Sequence, residues 1–181
     1  MALVDGTNCG FLLTSPTTDP LGSNQTLDAT AKAYKFTTPS TMGTVVEVGW
    51  YCDNATEAAN YQFGIYSHDS GNNKPDQLLF TTGDLAKGTT AGWKTSSVSW
   101  AGLSSSTIYW LGVQLDDTAT TTSNNGDSNA SYHVHIKGSQ TSLPSPWGTS
   151  LTDSDFIGGL YAKYSFGSPE MISTNSFIWS S

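Results

Sequence analysis

Asn60-Tyr-Gln-Phe-Gly-Ile-Tyr66 sets Tyr61, Phe63 and Ile65 on one side of an extended chain and Gln62 and Gly64 on the other. Side chains alternate faces along a strand, so a large apolar residue at every second position marks a strand with one face in a core. The same period of two recurs on either side of this stretch. Val46, Val48 and Trp50 alternate with Val45, Glu47 and Gly49, while Tyr132, Val134 and Ile136 alternate with His133 and His135. Thr107-Ile-Tyr-Trp-Leu-Gly-Val-Gln-Leu115 is apolar at nearly every position, which predicts a strand covered on both faces. Phe156 to Phe166 supplies a further strand candidate.

Turn-forming clusters separate these runs: Asp69-Ser-Gly-Asn-Asn-Lys-Pro75, Ala86-Lys-Gly-Thr-Thr-Ala-Gly92 and the polar stretch from Asp116 to Ser131, which reads as a long loop. No segment of a dozen residues keeps a 3.6-residue period. Strands and turns in this alternation predict an all-β, two-sheet antiparallel sandwich, and 181 residues fit one such domain, spanning 1–181. The first thirty residues and the segment 168–181 are poor in core formers except for two clusters, Phe11-Leu-Leu13 and Phe177-Ile-Trp179. One reading packs each arm on its own domain as an edge strand. The other docks it on a neighbouring copy, making Phe11, Leu12, Leu13, Phe177, Ile178 and Trp179 assembly residues.

Charge is sparse and one-sided, with fifteen Asp and Glu against seven Lys, no Arg, and a formal net charge of −8. Phosphate backbones are neutralised by clustered Lys and Arg, so this balance argues against a nucleic-acid partner and against polybasic membrane attachment. No stretch approaches the length of an apolar membrane span. The opening Met-Ala-Leu-Val-Asp lacks the basic and apolar regions of a signal peptide, so the expected setting is an extracellular or virion surface reached after removal of a signal or by release inside a virus particle. Cys9 and Cys52 either form one bridge or remain two buried thiols.

Tyr34-Lys-Phe36, Val45 to Trp50, Phe63-Gly-Ile-Tyr66 with Gly71, Pro75 and Leu78-Leu79 behind it, Gly92-Trp93 and Ile108-Tyr-Trp-Leu-Gly-Val-Gln114 follow one another in a familiar order. Over residues 30–115 the chain resembles the jelly-roll β-sandwich modules of bacterial surface proteins, carbohydrate-active enzymes and phage virion proteins. The resemblance implies a single jelly-roll-like antiparallel β-sandwich without catalytic activity, and in some such modules carbohydrate binding with a structural calcium.

The residues themselves point the same way. A nucleophile elbow, a phosphate loop, a His-Glu-x-x-His motif and a Cys-x-x-Cys pair are all missing from the sequence. His133 and His135 share a strand face and suit either a metal or the wet side of a half-exposed strand, while His68 falls in a turn and reads as solvent-facing. Glycosidase chemistry needs two carboxylates roughly 5–10 Å apart, but most acids here sit in turn-like segments, so a glycan-active enzyme is the third choice. Calcium takes oxygen ligands, which two Asp/Asn clusters offer: Asp69, Asn72, Asn73 and Asp76, or Asp116, Asp117, Asn125 and Asp127. Trp50 and Trp110 fall within strand patterns as core. Trp93, Trp100 and Trp147 lie near turns, where a ring can meet the apolar face of a sugar. The expected function is therefore a non-catalytic surface module for glycan or cell-surface attachment, with a structural or decoration subunit assembling through its arms as the alternative.

Overall fold

The computed structural model describes residues 3–4, 7–11, 23–52, 58–116, 123–128, 133–149 and 152–166, and among them there is no helix. The strands are β1 (Cys9–Gly10), β2 (Ser23–Thr26), β3 (Thr30–Thr37), β4 (Thr44–Cys52), β5 (Asn60–Asp69), β6 (Lys74–Thr81) and β7 (Leu85–Ala86). They continue with β8 (Gly92–Trp100), β9 (Ile108–Leu115), β10 (Ser123–Ser128), β11 (Val134–Gly138), β12 (Thr152–Ser154), β13 (Phe156–Gly158) and β14 (Leu160–Ser165). One sheet runs β1-β14-β4-β8 and a larger one β12-β11-β3-β9-β5-β6, with β7 added beside β5; a ribbon β13-β10-β2 completes the set. Every pairing is antiparallel.

The core lies between the two larger sheets. Val48, Trp50 and Cys52 of β4 and Leu160, Ala162 and Tyr164 of β14 meet Tyr34 of β3, Tyr61, Phe63 and Ile65 of β5 and Leu111, Val113 and Leu115 of β9. The period-two reading of residues 60–66 thus holds. In β4 it slips by one: Val45, not Val46, joins the core, because a bulge between Val45 and Glu47 opposite β8 resets the alternation. As expected for an unbroken apolar run, β9 is buried on both faces.

Its second face is covered by a different part of the chain. After β11, residues 139–149 cross the outside of the larger sheet, where Leu143 and Trp147 pack on Ala31, Ala33, Tyr66 and Trp110. Gly64 makes the hollow they fill, since a Cβ there would stand 2.6 Å from Leu143 Cδ1 and 2.7 Å from Leu78 Cδ1. Charged donors fasten the crossing segment: Lys137 Nζ donates to the Trp147 carbonyl at 2.8 Å and Lys74 Nζ to that of Gly148 at 2.9 Å.

Three further expectations resolve. Phe11 is fully buried in its own domain's core, its ring 4.7 Å from that of Phe36, and β1 pairs with β14, so the described residues 9–11 of this arm pack on their own domain. Leu12, Leu13, Phe177, Ile178 and Trp179 lie outside the described residues. Within the stretch read as a long loop, β10 pairs with both β2 and β13. Cys9 and Cys52 form no disulfide: Cys9 packs with Tyr161 on the outer face of the smaller sheet and Cys52 in the core on its inner face.

Candidate functional site

Alternation along β4 that buries Trp50 and Cys52 turns Glu47, Gly49 and Tyr51 outward. The register sets Trp93 of β8 directly opposite Tyr51 and Thr95 opposite Gly49, and sets Tyr161 of β14 opposite Gly49 on the other side. Gly49 lets the Tyr161 ring lie across the sheet, because a Cβ there would stand only 2.2 Å from its Cε1. Trp93 then meets Tyr161 and Tyr51 edge to face, with ring centroids 5.3 and 5.4 Å apart. Such pairs contribute about 0.5–1.5 kcal/mol beyond burial and fix the rings in place. Tyr161 is buried; Tyr51 and Trp93 are half-buried, and Thr95 next to them and Ser97 farther along, opposite Glu47, are exposed. The Tyr161 hydroxyl donates to Glu47 Oε1 at 2.7 Å. Burial first, and then the Glu47 carboxylate, push its ionisation above the usual tyrosine range, so it stays a protonated donor. The outcome is two partly open aromatic rings bordered by hydroxyls and a carboxylate.

Of the three tryptophans read as sugar-facing, only Trp93 belongs to this face. Trp147 is fully buried and presents no open ring face, a correction that follows from the segment crossing the larger sheet. Trp100 is half-buried against the core, stacked on Phe80 at 5.4 Å and 25°. Tyr51 and Tyr161 escaped the sequence reading. The signal was present: Tyr51 directly follows a core Trp in an alternating strand and must face out.

The calcium candidates are engaged locally. Asp69 accepts the backbone N–H of Gly71 at 3.0 Å and of Asn72 at 3.2 Å, plus Asn72 Nδ2 at 2.8 Å, and these bonds, the side-chain one foremost, lower its pKa. Asp76 Oδ1 accepts Gln77 Nε2, and Asp116 accepts both the backbone and side-chain N–H groups of Asn60. Asp117 and the side chains of Asn125 and Asp127 lie outside the described residues. Among the described residues no three His, Cys, Asp or Glu side chains are grouped to hold a metal ion.

All three histidines gather on the outer face of the larger sheet. Trp110 lies between His68 and His135, and its indole N–H donates to His68 Nδ1 at 3.1 Å. His135 Nε2 sits 3.0 Å from the Asn73 carbonyl and 3.8 Å from Asp153; His133 Nδ1 is 3.8 Å from Asp155. His135 is therefore buried rather than on a wet strand face, and His68 is bonded rather than simply solvent-facing.

No family model, curated protein or solved structure matches this chain. Among the described residues no helix is long and apolar enough to cross a membrane.

Proposed function

We propose that this domain is a non-catalytic surface module that attaches to a glycan or cell-surface polymer through the outer face of its four-stranded sheet. The observation that carries the reading is the pair of half-buried rings, Trp93 and Tyr51, held edge to face on that side, with Thr95 exposed next to them and Ser97 exposed farther along β8 opposite Glu47. Ring faces cover the apolar C–H surface of a sugar, and Glu47 and the hydroxyls supply acceptors and donors for its hydroxyl groups. Burial of Phe11 in its own core favours attachment over assembly through the N-terminal arm. The reading includes a jelly-roll-like arrangement, supported by the way β4–β8 and β3–β9 pair around the β5–β6 hairpin, and it carries with it an extracellular or virion setting. A polysaccharide array probed with the full chain tests it. At least one polysaccharide should be retained, and an array without any bound polysaccharide would count against the proposal.

A further inference from the structure

Trp110 is fully buried, and its indole nitrogen only donates. The 3.1 Å bond to His68 therefore requires a lone pair on Nδ1, and the neutral ring must carry its proton on Nε2. Burial first, and then the nearby Lys35 charge, favour that neutral form and outweigh the opposing pull of the adjacent Asp69 carboxylate. Half-buried His68 lines an open groove of about 510 Å³, together with Ser67 of β5, Leu79 of β6 and Thr107 and Ile108 at the start of β9.

The groove's chemistry is specific. Ser67 Oγ already accepts the Gln77 backbone N–H at 3.0 Å, which leaves its own hydrogen to donate. Thr107 spends its hydrogen on the Ser105 carbonyl at 2.8 Å, which leaves its oxygen to accept. Leu79 is 43% exposed, one of few large apolar side chains so open among the described residues. No lining residue is acidic, and Asp69, which follows His68, is occupied in its own turn by Gly71 and Asn72.

We propose that this groove is a second carbohydrate subsite, in which His68 Nε2–H and the Ser67 hydroxyl donate to sugar hydroxyls, Thr107 Oγ1 accepts from one, and Leu79 and Ile108 cover the sugar's apolar face. It lies on the larger sheet and stands independently of the Trp93 face. Two sites on different sheets would let one copy hold two polymer strands, or one strand at two points, raising avidity without new contacts at either site.

The test is a set of ¹H–¹⁵N correlation spectra of the full chain in which the indole signals of Trp93 and Trp110 are followed. The probes are methyl β-D-glucopyranoside, methyl β-D-galactopyranoside and methyl α-D-mannopyranoside. The buried Trp110 ring senses the groove through His68, so its signal should move with at least one probe. Leu79→Ser, at an exposed position, should weaken that response about threefold by removing apolar cover, and Trp93→Ala should leave it unchanged. A Trp110 signal that stays fixed with all three sugars, or that ignores Leu79→Ser, overturns the subsite. Movement of Trp93 without Trp110 defeats the groove alone and leaves the aromatic-face reading standing.

Discussion

Replacing Lys32 by Met should make the protein more stable. Lys32 lies on β3 between Val113 and Ile136, alternates with the outward Ala31 and Ala33, and so shares the core face with Tyr34; it is 2% exposed. Burial alone lowers its pKa from the ordinary 10.5 to about 7. The unfolded chain keeps its proton up to about pH 10, so the fold gives up about 4 kcal/mol at pH 7 to bury this amine. Met keeps the stem's shape without the charge. Allowing about 1 kcal/mol for imperfect fit, the gain should be about 3 kcal/mol. The sign with pH follows from the same shift. Between pH 7 and pH 9 the unfolded state binds more protons at this site than the folded state, so wild-type stability should rise by about 2 kcal/mol while the variant lacks this rise. Urea denaturation of both proteins at each pH measures this, and the difference between them cancels the other titrating groups. A variant no more stable than wild type, with a difference that is flat from pH 7 to 9, would refute the reasoning and mean that the amine reaches water or an acceptor.

Other perturbations test other parts of the account. Phe11→Ala should cost about 3 kcal/mol in denaturant unfolding without changing the sedimenting mass, since the ring fills its own core; a loss of oligomer with unchanged stability would restore the assembly reading. Gly49→Ala should cost about 1–3 kcal/mol and displace the Tyr161 ring, because the added methyl would stand 2.2 Å from its Cε1; unaltered near-ultraviolet circular dichroism would argue against the packing described. Burial, the largest cause, lowers the pKa of both His68 and His135 below 6.5, so the unfolded chain takes up protons first as pH falls. Stability present above about pH 6.5 should then be lost towards pH 5, with His68→Asn reducing the loss in thermal melts; identical acid sensitivity in wild type and variant would contradict this.

The central strands were legible because burial on one or both faces writes directly into the sequence. Tyr61, Phe63 and Ile65 read as one buried face, and the apolar run of residues 108–115 read as a doubly covered strand. What covers the second face did not read. Leu143-Pro-Ser-Pro-Trp-Gly148 resembles an exposed turn until the hollow at Gly64, 79 residues earlier, receives it, and that fit is a property of the fold rather than of either segment. The bulge in β4 is likewise invisible locally: Val45 and Val46 are identical side chains, and only the register against β8 selects which one enters the core. For β10, polar composition concealed a strand whose ladder bonds come from the backbone, which composition does not report. The candidate site was half legible. Trp93 was singled out, but its neighbours Tyr51 and Tyr161 come from two other strands and needed the register to join it.

The most direct test of the attachment reading compares Trp93→Ala with Trp100→Ala on any polysaccharide the wild-type chain retains, by titration calorimetry. Truncating an aromatic anchor at a binding face typically costs about 1–2 kcal/mol or more, so Trp93→Ala should weaken binding about fivefold to thirtyfold while its β-sheet circular dichroism persists. Trp100→Ala, whose ring stacks on Phe80 beside the core, should lower stability and leave affinity within about twofold. Undiminished affinity in a folded Trp93→Ala protein would contradict the claim that the outer face of the four-stranded sheet holds the polymer.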